Sequence, residues 1–179
     1  MNPLDELNSL VALFGEATDL LERADHVPAS QIPEPYKKLL VHDQHMTVTM
    51  EAYHGDSVNV EILNQRLEDD LYVRKILLRT IMDQKIVQFG IVRFHLEYVT
   101  NRVRDEILSG KIPLGRVLIN HNVLRHIDLG AILRISAGPD LADCMRIAPG
   151  MTTYGRLATI FCDSRPAVDL LEIASPSGD

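Results

Sequence analysis

"LYVRKILLRTIMDQKIVQFGIVRFHL", residues 71–96, holds two apolar runs rich in Val, Ile, Leu and Phe around the break Met82-Asp83-Gln84. Two such runs joined by a short polar break read as neighbouring antiparallel strands. Strand side chains alternate, so Tyr72, Arg74, Ile76 and Leu78 share one face, apolar but for a single guanidinium. A late stretch, "AVDLLEIASP" (167–176), repeats the pattern with the opposite charge. Val168, Leu170 and Ala174 lie on the face of Glu172, and Leu171 and Ile173 make the other face equally apolar. A carboxylate there without partners is expensive to desolvate. Either the strand runs along a sheet edge or something meets Glu172.

Outward from these strands the period stays at two. "VNVEILNQRLEDD" (58–70) alternates Val58, Val60 and Ile62 against Asn59 and Glu61, and "LRHIDLGAILRIS" (124–136) is strand-like. "YGRLATIFC", the turn "DSRP" and "AVDLLEIAS" form a hairpin. "HMTVTMEAYHGD" (45–56) is β-branched and ends in Gly55-Asp56, which predicts another strand and turn. Helical spacing returns in "EYVTNRVRDEILSG" through Val99, Val103 and Ile107, with Gly110 as a fitting stop. "KIPLGRVLIN" reads as a tight turn opening a short helix, and "GPDLADCMRIAPG" as a loop around a helical turn. "PLDELNSLVALFGEATDLLERAD" predicts one amphipathic helix of about five to six turns, weakened at Gly15. The proline-rich "VPASQIPEPYKK" follows as a connector. The expected class is α+β: a six-stranded, mainly antiparallel sheet with helices packed on one face. One domain, 1–179, comprises an N-terminal helix (1–24), a connector (25–37) and a sheet-based core (38–176).

The composition narrows the function classes. With 46% hydrophobic and 24% charged residues over 179, the chain has the profile of a globular protein with a real core. Apolar runs fall short of the roughly 20 residues a membrane helix needs. The start "MNPLDELNSL" lacks a secretion signal's basic and apolar regions. Cys144 and Cys162 form no CxxC, so a reducing cytoplasm is the expected compartment. A net charge of −7, with the basic stretch "NRVRDEILSGK" interleaved with acids, argues against nucleic acid as a partner.

Four stretches, in order, resemble the chorismate pyruvate-lyase family. "LLVHDQHMTVTME" resembles its Met-Thr segment (Met46, Thr47) and "YVRKILL" the strand bearing its substrate-binding arginine (Arg74). "IPLGR" resembles its Pro-Leu-Gly turn (Pro113, Leu114, Gly115), and "DLLEIASP" its final strand with the catalytic glutamate (Glu172). Together they cover about residues 38–176. The resemblance implies a six-stranded antiparallel sheet enclosing its ligand under flaps. It also implies the cleavage of chorismate into 4-hydroxybenzoate and pyruvate without metal or organic cofactor, feeding quinone (ubiquinone-type) or phenolic lipid synthesis.

The residue types suit that chemistry. A guanidinium makes a planar contact with a carboxylate that lysine cannot copy, so Arg74 would anchor the acid. Glu172, its pKa raised in an apolar pocket, would act at the C4 hydroxyl or the ether oxygen. Met46, Thr47, Leu114 and Gly115 would wall the pocket. Some members of the family this chain resembles carry an arginine directly after the glycine matching Gly90; here that position is Ile91, and Arg93, two residues on, is the candidate second cation. Arg116 and Arg156 compete for that role, though each reads first as a surface arginine. His42, His45, His121 and His126 match no zinc spacing, so no metal is expected; His45 and His121 would sit near the pocket mouth or at the surface.

Two rivals remain. The same fold resembles the effector-binding domain of some transcription regulators, so the chain could be a non-catalytic sensor of a small aromatic acid. The roughly 35 residues before the sheet hold one helix and few cations, unlike a winged-helix DNA reader, which favours the enzyme. The other rival is a lyase acting on a related chorismate-type acid.

Overall fold

The computed structural model describes residues 2–176. It contains the hairpin expected from the sequence, β3 (Leu71–Thr80) and β4 (Ile86–His95), with β7 (Arg165–Ala174) paired to the far side of β4. These join β1 (Leu21–Val27), β2 (Val58–Glu68), β5 (Arg125–Ala137) and β6 (Thr152–Cys162) in one sheet of order β1-β5-β6-β7-β4-β3-β2. Every neighbouring pair is antiparallel. The class is therefore α+β, with seven strands where the sequence predicts six.

Two segments exchange identity relative to the sequence pattern. The expected long N-terminal helix is cut into α1 (Pro3–Val11) and α2 (Ala17–Leu20), with Gly15 at φ 138° between them. From Leu21 the chain is strand β1, which pairs along β5 from Leu21↔Ala137 to Val27↔Ile132. Conversely, 46–54 is helix α4 (Met46–His54), not a strand. Met46, Thr47 and Met50 form its buried side, and Gly55, left-handed at φ 65°, caps it by donating to the Glu51 carbonyl. The glycine read as a hairpin turn is a helix stop. β-Branched residues are only weakly averse to helix, so one apolar stripe on an otherwise open face decides the outcome.

The helices cover both faces, which corrects the expectation of one. The inner strands require this: β3, β4 and β7 are apolar on both sides, and an uncovered side would leave that surface in water. On one face α1 and α7 (Pro139–Met145) place Leu7, Leu10, Leu141 and Met145 over Phe89, Ile91, Leu171 and Ile173. The other face has two clusters. Under α5 (Asn101–Ser109) and α6 (Leu114–Asn120), Val103, Ile107, Val117 and Leu118 pack with Val92, Ile160 and Leu170. Under α3 (Tyr36–Leu40) and α4, Leu39, Leu40 and Met50 pack with Ile76, Leu78 and Ala174. A hollow opens along the seam between these two clusters.

Candidate functional site

Strand register builds the floor of the hollow. Ile76, Gly90, Glu172 and Arg156 stand in one row across β3, β4, β7 and β6. The row on one side runs Arg74, Val92, Leu170, Ala158, and that on the other Leu78, Gln88, Ala174. Gly90 has no side chain to raise over the floor, and a Cβ there would come within 3.3 Å of Ile76. The roof is made by the first turns of two helices, His45, Met46 and Thr47 at α4 and Pro113, Leu114 and Gly115 at α6. They can close together because Gly115 has no Cβ; one would lie 3.0 Å from the His45 ring. The hollow has an empty volume of ≈ 460 Å³ counted out to its mouth, of which ≈ 40 Å³ admits the centre of a water molecule. It is a narrow, partly open hollow.

The charges in this space are unevenly matched. Arg74 is 1% exposed, and its Nε and Nη1 have no hydrogen-bond partner among the described residues. Its guanidinium carbon lies 6.0 Å from the centre of the Tyr72 ring. Burial lowers its pKa, opposed by Tyr72. Glu172, 7% exposed, is already taken: its Oε2 accepts from Arg156 Nε at 2.7 Å. The other nitrogens of Arg156 donate to the carbonyls of His42 and Gln44, both at 2.9 Å, and so tie the approach to α4 onto the sheet. Oε1 of Glu172 is uncommitted among the described residues. Of the residues lining the hollow, Arg74 and Glu172 bear formal charge. With Glu172 satisfied by Arg156, the Arg74 guanidinium is the charge left over.

His45 closes the rim. Its Nε2 accepts from Arg125 Nε at 2.8 Å. Burial first, and then Arg125 and Arg156, push its pKa down to about 4, so the ring is neutral at neutral pH. On its outer side lies a shallower groove shared with Asn122, Arg125 and His126. His42, half-buried, sets its Nε2 against the Leu39 carbonyl at 2.6 Å; burial and the neighbouring Arg156 lower its pKa.

The fold brings together Met46, Thr47, Arg74, Leu114, Gly115 and Glu172, from four distant parts of the chain. Arg93 is not with them. It lies on the opposite face, pairing with Asp169 at 2.9 Å and donating to Ser9 of α1 at 3.2 Å. Ile91 and Arg93 do share a face, but it is the one turned away from Gly90 and Glu172. Arg156, 0% exposed where the sequence suggested a surface residue, meets Glu172 and is not among the residues that line the hollow. Arg116 pairs with Glu51, and His121 pairs with Glu106. Gln88 escapes the sequence reading, although a lone polar residue in the apolar run "KIVQFGIV", two positions from Gly90, is the same signal that marks Glu172. No group of three or more His, Cys, Asp or Glu among the described residues is placed to hold a metal ion.

No family model matches the sequence, and no curated protein does. Similarity is found in the fold. The effector domain of PhnF from Mycobacterium smegmatis superposes with a TM-score of 0.53 at 10% identity, over 74% of this chain and 88% of that domain. PhnF itself superposes with a TM-score of 0.50 at 9% identity over 72% of this chain, which spans 62% of PhnF. A GntR-family transcriptional regulator gives 0.50 at 12% identity, over 71% of this chain and 58% of the regulator. At these identities the likeness is one of architecture. Among the described residues no helix is long and apolar enough to cross a membrane.

Proposed function

We propose that this chain is a ligand-binding domain whose seam pocket takes a small ring-bearing carboxylic acid, with the carboxylate on Arg74. The observation that carries this is the Arg74 guanidinium, shut away from water with two of its nitrogens unpartnered among the described residues. A buried donor left unpaired costs about 1–3 kcal/mol, and more when charged. A carboxylate would relieve that cost and balance the one unmatched charge. The apolar walls (Ile76, Leu78, Val92, Ile160, Leu170) suit a ring. The shared architecture with an effector domain supports the same reading.

A second reading, chorismate pyruvate-lyase, is favoured by one observation: Glu172, with Oε1 uncommitted, lines the same hollow as Arg74. In that reaction the C3–O ether bond breaks, the C4 hydrogen is lost as a proton, and the expelled enolpyruvate takes up a proton to become pyruvate. The ring aromatises to 4-hydroxybenzoate. Arg74 would hold the ring carboxylate and Glu172 would hydrogen-bond the C4 side, while Met46, Thr47, Leu114 and Gly115 exclude water. Chorismate is a dianion, and its second carboxylate would need Arg125, beyond His45. The hollow itself is balanced by one negative charge, which is why binding stands first.

The test uses the purified protein. Titration with 4-hydroxybenzoate should give saturable binding and raise the melting temperature; no binding of 4-hydroxybenzoate or benzoate contradicts the proposal. Incubation with chorismate, followed by chromatography, decides the second reading: 4-hydroxybenzoate and pyruvate above the uncatalysed background would move it to first place.

A further inference from the structure

A second orphan faces the hollow. Gln88 is 3% exposed and lines the pocket, and its Oε1 has no hydrogen-bond partner among the described residues. A buried carbonyl left unpaired keeps its full desolvation penalty, and the surrounding walls, Ile76, Leu78 and Val60, have nothing to offer it. Gln88 stands at the other end of the floor from Arg74. Arg74 pairs with Val92, four residues along β4 from Gln88, so the two rows are roughly 13 Å apart at the spacing of an extended strand. Between them the floor is Gly90, with space in place of a side chain. The pocket thus has a cation at one end, a bare ring-sized middle, and an unsatisfied acceptor at the other end.

Resting on the reading of the site as an acid-binding pocket, we infer that Gln88 is its specificity residue. The occupant is an acid carrying a hydroxyl or amino group on the side of the ring away from its carboxylate. That group donates to Gln88 Oε1 while the carboxylate meets Arg74. If the carboxamide turns over it presents Nε2–H instead; a hydroxyl, donor and acceptor at once, satisfies either orientation. A site built to hydrogen-bond such a group rejects an analogue lacking it, because the buried carbonyl is then left unpaired. Glu172 Oε1 is the rival reader of the same group, and it sits one row nearer to Arg74.

Calorimetric titration of wild type and Gln88→Leu with 4-hydroxybenzoate and its near-isostere 4-methylbenzoate separates these. Wild type should prefer the hydroxy acid by about 10-fold or more, and Gln88→Leu should shrink the preference to within about 3-fold, while binding 4-methylbenzoate at least as well. A preference that survives in Gln88→Leu assigns the reading to Glu172 and overturns the inference. Equal binding of both acids to wild type overturns it and leaves the acid-binding proposal standing; failure of both acids to bind overturns both. A readout without ligand is also available. Removing an unpaired buried carbonyl should leave the urea midpoint of Gln88→Leu equal to or above wild type, and a clear fall would mean that Oε1 is already satisfied within the fold.

Discussion

Glu172 and Arg156 meet at 2.7 Å as a buried ion pair on the floor of the hollow. The place of Glu172 on an apolar strand announces that something meets it, and Arg156 does. Yet the hairpin turn at Asp163-Ser164 closes on Cys162↔Arg165, and carried on without interruption that register sets Arg156 opposite Leu171, on the wrong face. A bulge between Ile160 and Phe161 shifts the pairing by one residue and brings Arg156 to Glu172. Such a bulge leaves no mark in composition or periodicity, so the cation that meets Glu172 could not be placed from the sequence. Breaking a buried pair from one side leaves the other charge uncompensated, typically at about 3–5 kcal/mol. Arg156→Met and Glu172→Gln should each lower the urea unfolding free energy by about that much, and Arg156→Met/Glu172→Leu should cost less than the sum of the two. Strict additivity would contradict the pairing. His45 provides a pH test. Its folded pKa, about 4, lies below the 6.5 of the free side chain, so the unfolded chain binds the proton more readily. The stability it contributes is complete above pH 6.5 and lost as pH falls toward 4, on the order of 3 kcal/mol in all. His42, lowered as well, acts in the same direction. Melting temperatures measured from pH 7.5 to 4 should fall less steeply in His45→Gln than in wild type; parallel curves would contradict this.

At the scale of elements, the strands with a clear period of two, the α5 helix with its Gly110 stop, and the turn into α6 follow directly from local pattern. The two exchanges do not, for a common reason. Residues 17–27 and 46–54 are short amphipathic stretches whose apolar residues fit either period, and the neighbour they pack on decides between them. For β1 that neighbour is β5, and the junction is tight. Gly138 at the end of β5 donates its N–H to the Leu20 carbonyl at 2.9 Å, and a Cβ there would lie 2.7 Å from the Asp19 carbonyl oxygen. Both obstacles are backbone and cannot swing aside. Gly138→Ala should therefore destabilise by about 1–3 kcal/mol, with amide exchange in β1 accelerating more than in β3 and β4. An unchanged midpoint and unchanged exchange would contradict the packing of this edge.

At the scale of the molecule, the sheet separates structural work from the site. One face is a continuous apolar core under α1 and α7. The other is split in two, and the split holds Arg74, Gln88 and Glu172 with its Arg156 partner. The sequence shows that a guanidinium and a carboxyl lie on apolar strands. It does not show that β3 and β7, with β4 between them, bring the two to one face while Arg93 turns to the other, because that depends on strand order and on the parity set by each pairing. Calorimetric titration of 4-hydroxybenzoate into wild type, Arg74→Lys and Arg74→Met tests the central claim most directly. Among the described residues Arg74 makes no ion pair with an acid, so Arg74→Met should keep or raise the stability of the protein alone while weakening binding at least about 30-fold, with Arg74→Lys between the two. Equal affinity in wild type and a folded Arg74→Met protein would show that the acid is held elsewhere.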